Sequence, residues 1–375
     1  MTRELVVAAL VAGCSFNPSS NGAIDAKRGI TDGSKDSSVD ASVGSNCLGD
    51  SLVVVCLGSA PTEPVMIGSD TAIDTDTGPQ CSQDTTGATA GKFCVVAGTM
   101  IGVMQGSTLS ATGHRPLVLF STSTIKIDGT IDVSSHIDGK PQLIGAGGDA
   151  GDCGTPTAPD ATGIGGGYGG SFGSPGGDGG SDSGFKAGGI ANAAIVPTEL
   201  RGGCPGFAGS DSAPGHGGGA LALLASDSIN VSMMGSVFAS GGGGSGTGHA
   251  NRGGGGGGAG GLIVLDASMV MGPGRVVANG GGGGEGAAGN DGNDGSDAPE
   301  DPMMAAAAGA DGSPSGGDGG SGALGDGTGP NAAGSGHAGS GVGTTDGGGA
   351  GGGGVGVIKV FKSTTVPAMT SPPPS

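Results

Sequence analysis

Glycine arrives in blocks in this chain, at 145–218, 241–261 and 280–354, and the blocks separate passages that spell the same pattern. "GALALLASDSINVSMMGSVFASGGGG" (219–244) and "GGLIVLDASMVMGPGRVVANGGGGG" (260–284) each read glycine, a small-apolar run, an alternating run, and glycine again. Glycines number 93 of 375 residues, against a usual share of about 7%. Each loses more backbone freedom on folding than any other residue. Ordered glycine in this quantity implies tight turns or close backbone contacts, and helices are disfavoured. Only "EDPMMAAAAGA" (300–310) reads as helix, about two turns after Pro302.

Between the blocks the strand signals are clear. "LVLF" (117–120) is followed by "IKI" (125–127) and "TIDV" (130–133), the last two alternating apolar with polar, the period of a half-buried strand. Segments 221–224, 229–231 and 236–239 match them piece for piece, and so do 262–265, 269–271 and 275–278. Residues 93–113 have the same texture, and "GVGVIKVF" (354–361) supplies a closing strand. Gly129 falls where the chain would turn a corner, and no hairpin dipeptide separates the runs. Short strands joined by one or two residues suit stacked parallel coils, because one coil alone cannot bury its apolar row. The expected fold class is therefore all-β: a parallel β-helix or β-solenoid with long Gly-rich loops between coils. The insertions allow two readings, solvated loops or packed polyglycine II. Glycine at every third position in "GAAGNDGNDGSD" (286–297) places those glycines on one edge of a three-residue-per-turn helix.

The start of the chain is an address. Arg3, an apolar run from Leu5 to Ala12, and Val11-Ala12-Gly13-Cys14 resemble a bacterial lipoprotein signal peptide with its lipobox. The run is too short to span a bilayer. The resemblance implies cleavage after residue 13, lipid on Cys14, and, with Ser15 rather than aspartate following, delivery to the outer membrane. The expected organisation is signal peptide 1–13, disordered tether 14–46, solenoid body 47–363 and a disordered Pro-rich tail 364–375. Six cysteines remain: Cys47, Cys56, Cys81, Cys94, Cys153 and Cys204. An even number in an oxidising compartment reads as disulfides. Fifteen connectivities exist. Proximity favours Cys47–Cys56, a hairpin turning at Gly49-Asp50, and Cys81–Cys94, with Cys153–Cys204 left over. The scattered histidines and the lack of CxxC speak against zinc.

Net charge is −19, which argues against nucleic acid or anionic lipid as a partner, since both want a basic patch. Carboxylates beside glycines at 176–184 and 289–301 have the oxygen chemistry of calcium ligands, but no tandem calcium-roll repeat is in register. No cofactor is otherwise expected. A polysaccharide lyase or hydrolase would draw on Asp128, Asp132 and Lys126 with His136. Sugar sites usually offer aromatic platforms, and the chain has no Trp and one Tyr. A solvated strand face is the plainer reading. From about residue 47, "CLGDSLVVVCL", "AIDTDTGPQC", "FCVVAGTMIGV", "LSATGHRPLVLFSTSTIKIDGTIDVSSH", "GGGALALLASDSINV" and "GGGGGGAGGLIVLDA" resemble Gly-rich secreted lipoproteins of the myxobacterial type, with repeats similar to those of β-solenoid adhesins. That resemblance implies surface location and β-helix-like architecture, and no known reaction. The function expected is non-catalytic: a structural or adhesive lipoprotein, membrane-anchored through Cys14, meeting surface polymers or other cells. The alternatives are a polysaccharide-active β-helix enzyme and a calcium-dependent surface assembly protein.

Overall fold

The apolar runs become strands that sort by their pattern of hydrophobicity. The structure, a computed structural model, describes residues 46–375 except 82–84, 88–89, 138–142, 150, 183–185, 249–250 and 341–345. The Cys14 reading and most of the tether lie outside the described residues.

Strands β1 (Cys47–Asp50) and β2 (Val53–Leu57) form an antiparallel hairpin. β3 (Val65–Ile67) and β4 (Thr71–Asp74) follow, and β5 (Thr85–Thr86) adds to the hairpin beside β2. The chain then writes the same triplet repeatedly: β6 (Cys94–Gly98), β7 (Ile101–Val103) and β8 (Thr108–Thr112); β9 (Leu117–Ser121), β10 (Thr124–Ile127) and β11 (Thr130–Asp132). β12 (Ala220–Ala225), β13 (Ser228–Val231) and β14 (Ser236–Phe238) repeat it, as do β15 (Leu262–Asp266), β16 (Met269–Met271) and β17 (Arg275–Val277). β18 (Val357–Phe361) and β19 (Met369–Ser371) close the series.

Each triplet gives one strand to each of three sheets, and every pairing in them is parallel. Sheet I has the order β18-β15-β12-β9-β6, sheet II β16-β13-β10-β7-β3, and sheet III β19-β17-β14-β11-β8-β4. Helix among the described residues is limited to 3-10 turns, such as Gly329–Asn331. The protein is thus all-β with parallel sheets.

Side chains alternate faces along a strand, and the two kinds of run report two environments. In sheet II the outer face is mostly open: Ile125 and Ile127 are fully buried while Lys126 between them is exposed. In sheet III the outer face is open at Thr130 and Asp132 only in part and is covered at Phe238 and Val277. In sheet I both faces are buried. Leu117 and Leu119, Leu221 and Leu223, and Ile263 and Leu265 join the core that residues of all three sheets share. Val118, Phe120, Ala222, Leu224 and Val264 point the other way, into a second core with Val53 and Val55 of the hairpin and Phe172, Leu200 and Ala259 of the glycine-rich passages. Doubly covered parallel strands read as unbroken apolar runs, which is why "LVLF" and "LIVL" do not alternate.

The glycine passages that cover sheet I are packed, not solvated loops. Residues 253–261 show the rule. Gly254, Gly257 and Gly260 donate their N–H groups to Gly348, Gly351 and Gly354; Gly255 and Gly258 donate to Ser245 and Gly242; Gly256 and Ala259 donate to Phe207 and Cys204. Their carbonyls accept in the same rotation. Gly254 and Gly257 receive Gly167 and Gly170, Gly255 and Gly258 receive Gly284 and Gly281, and Gly256 and Ala259 receive Gly215 and Gly218. All these bonds are 2.8–3.1 Å long. A repeat of three residues is that of an extended left-handed helix, so successive peptides aim about 120° apart and one segment bonds to six neighbours. Such spacing requires bare backbone. A Cβ on Gly257 would stand 2.2 Å from the Gly281 carbonyl oxygen. The second of the two readings of the insertions, packed polyglycine II, describes this passage.

One carboxylate is folded into this bundle. Glu285 is fully buried, its Oε2 accepting from the N–H groups of Asn293 and Gly312 at 2.9 Å and its Oε1 from Ser313 at 2.8 Å. Three charge-assisted bonds to backbone offset the loss of water.

Three sequence expectations are corrected. Residues 300–310 are not helical: Ala307 and Ser296 exchange bonds as extended neighbours in the bundle. A two-turn helix is marginal alone, and the bundle offers its peptides better partners. The first hairpin turns at Ser51-Leu52, because Gly49 and Asp50 pair with Val54 and Val53. The tail 364–375 is ordered. Its strand β19 pairs with β17, Ser363 Oγ accepts from Val270 N–H at 2.9 Å, Thr365 Oγ1 donates to Val270 O at 2.6 Å, and Ser375 N–H donates to Ile358 O at 3.0 Å. Strands β16, β17 and β18 are thereby bonded by the last thirteen residues, and unsatisfied sheet edges are what draws the tail into place.

Candidate functional site

Sheet III ends its β11 strand at Asp132, and the chain immediately bends to His136. The imidazole Nε2 lies 3.3 Å from Asp132 Oδ2, and Nδ1 lies 3.3 Å from Asp297 Oδ2. Asp297 comes from the acidic passage 289–301, which crosses to meet it. The other oxygen of Asp297 accepts the N–H of Ile137 at 2.9 Å and of Gly243 at 2.8 Å. Asp132 Oδ1 accepts from Ser134 N–H at 2.9 Å. Both carboxylates are therefore oriented by backbone before they meet the ring.

Hydrogen bonds to Asp132 and then Asp297 raise the His136 pKa to about 10, outweighing the burial that opposes its charge. For Asp132, burial works to raise the pKa, but the bonds from His136 and Ser134 together hold it below the ordinary carboxylate value. The ring is an imidazolium at neutral pH with both nitrogens engaged. The arrangement acts as a cationic clasp. It ties an insertion 161 residues downstream to the end of a core strand.

The sign of the pH dependence follows. The folded pKa of His136 lies above its ordinary value of 6.5, so its contribution is complete below that value and is lost as pH rises through about 10. Partial exposure of the ring means that solvent screening removes much of the effect. We expect the wild-type melting temperature to fall about 3–6 °C further between pH 6.5 and 10 than that of His136→Gln. Parallel melting curves across that interval would show that the clasp does not stabilise the fold.

Of the other residues with enzymatic potential in the sequence, Lys126 and Asp128 pair with each other at 2.8 Å. The bond from Lys126 lowers the Asp128 pKa. Lys126 belongs to sheet II and Asp132 to sheet III. The remaining described histidines also face aspartates: His114 and Asp76 at 2.8 Å, His337 and Asp318 at 3.5 Å, and His216 beside Asp149. Asp297 has no local signal for this role in the sequence, since its partner is 161 residues away and the acids around it read as calcium ligands.

The disulfides are Cys47–Cys56, Cys81–Cys94 and Cys153–Cys204. The first crosses the hairpin between directly opposed residues. The third joins two glycine-rich passages 51 residues apart, and Arg201 lies beside its sulfurs and 5.4 Å over the Phe172 ring. Three of the acids in 289–301 bond to backbone: Asp294 to Gly246 N–H at 2.8 Å, Asp297 as above, and Asp301 to Met303 N–H at 2.9 Å. Among the described residues no group of three or more His, Cys, Asp or Glu is arranged to hold a metal ion. No helix among them is long and apolar enough to cross a membrane.

No protein-family model matches the chain, and no curated protein or solved structure matches it either.

Proposed function

We propose that this chain is a non-catalytic structural or adhesive protein of the cell surface, a β-solenoid carrying a glycine bundle on one face and held to the outer membrane by lipid on Cys14. The observation that carries the reading is the use to which the polar side chains are put. His136, Asp132, Asp297 and Glu285 all serve as ties between segments. The recurrence of one strand per sheet in each triplet supports three faces of a single winding coil. Disulfides at three places suit an oxidising compartment. A net charge of −19 keeps copies apart and favours neither nucleic acid nor anionic lipid as partner, which leaves the lipid as the membrane contact and surface polymers or other cells as what the body meets.

The test is proteinase shaving of intact cells with membrane fractionation, wild type against Cys14→Ala. Wild type should sediment with membranes and be cut from outside, and the variant should leave the membrane. Identical soluble behaviour of both would sink the anchored reading.

A further inference from the structure

The chain has eleven methionines, and none of the ten described is buried. Met66, Met100, Met104, Met233, Met234, Met269, Met303, Met304 and Met369 are exposed, Met303 by 81% and Met233 by 73%, and Met271 is half-buried. This reverses the ordinary partition, in which the thioether goes to the core. The two cores consist of Val, Leu, Ile, Ala, Phe and two disulfide cysteines. Seven of the methionines belong to sheet II or its corners: Met66 on β3, Met269 and Met271 on β16, Met100 and Met104 flanking β7, and Met233 and Met234 in the turn after β13. Met66 lies over Gly102 of the next strand, and Met104 lies against Gly68. The other oxidisable groups are already protected. All six described cysteines are in disulfides, there is no Trp, and Tyr168 stacks on Phe207 with ring centroids 5.0 Å apart.

We propose that the exposed methionines are sulfoxidation sites, a thioether surface that accepts oxygen from hydrogen peroxide while the fold stands. The sulfur lone pair attacks one peroxide oxygen. The S–O bond forms as the O–O bond breaks, the departing hydroxide takes the remaining proton, and water leaves. The sulfur is oxidised by two electrons and the peroxide is reduced by two. In a core the polar product would have to be buried without partners. On this surface it meets water, and the sheet II face becomes more polar. Solvent access is the only requirement, so the inference does not depend on the cellular location proposed above.

The experiment treats the full chain, disulfides intact, with hydrogen peroxide. It maps sulfoxide by peptide mass at each methionine and follows the melting temperature. The nine exposed methionines should oxidise at rates within about tenfold of free methionine, with the melting temperature changed by less than about 5 °C. Methionine sulfoxide reductases should return the original masses. Replacing the six exposed sheet II methionines (Met66, Met100, Met104, Met233, Met234 and Met269) by leucine should remove six oxygens of uptake. Methionines that stay unmodified until the protein unfolds, or a larger fall in melting temperature on oxidation, would overturn the proposal.

Discussion

Gly257→Ala should lower the melting temperature by at least about 10 °C. The added methyl would sit 2.2 Å from the Gly281 oxygen and 2.7 Å from both the Gly281 carbon and the Gly282 oxygen. Those atoms are backbone, fixed on their own far sides by further backbone bonds, and cannot swing aside as a side chain could. Relief requires two segments to separate. That breaks the bonds from Gly281 to Gly258 and from Gly284 to Gly255 together, each worth about 1 kcal/mol net and more if its groups stay buried and unpaired. Gly151→Ala is the control, because a Cβ there meets nothing within 4 Å; it should melt within about 2 °C of wild type. Calorimetry on both variants separates steric exclusion in the bundle from a general dependence on glycine content. Equal melting of the two would refute the close-packed account.

Deletion of 363–375 should have the second large effect, a fall of about 5–10 °C in melting temperature accompanied by concentration-dependent self-association. The deletion strips the outer edge of β17 of its strand partner, β16 of the Ser363 and Thr365 caps, and β18 of the Ser375 bond. It also frees the buried Asn279 Oδ1, which accepts from Ser371 Oγ at 2.6 Å, and the Gly325 N–H, which donates to the same hydroxyl. Three parallel edges presented side by side form a template for another copy. Light scattering over a concentration series reads the outcome. A truncated chain that stays monomeric and melts like wild type would show that the tail is not a cap.

Much of the architecture was legible because side chains wrote it. The unbroken "LVLF" and alternating "IKI" runs announce strands, and their three-part recurrence announces stacked parallel coils. The difference between them became readable only with the structure, where the unbroken run belongs to a sheet covered on both faces. The bundle was legible only as an alternative, because its segments recognise one another through backbone, which has no alphabet. Glycine at every third position shows plainly in 286–297, but nothing in "GGGGGGAGG" names Gly351 or Gly170 as a neighbour. The tail misled for a related reason. "SPPPS" reads as disorder, yet an edge position tolerates proline, and what orders the segment is the unmet bonding of strands far upstream. Asp297 fell between these cases. Its charge was visible, but the ring it clasps is set by the fold of two passages that share no local pattern.

The rotation of donors along 253–261 fixes a quantum of length. Removing a single residue there would turn every later peptide by about a third of a revolution, and each N–H would address the wrong neighbour. Removing three restores every address and shortens the helix by one turn. Natural variation in such passages should thus come in triplets of residues, a phase rule that acts on the protein as a reading frame acts on a gene. Substitution is constrained by the lack of room, while insertion is constrained by arithmetic. A lineage of such chains would lengthen or trim its glycine bundle in whole turns, without altering the sheets that carry it.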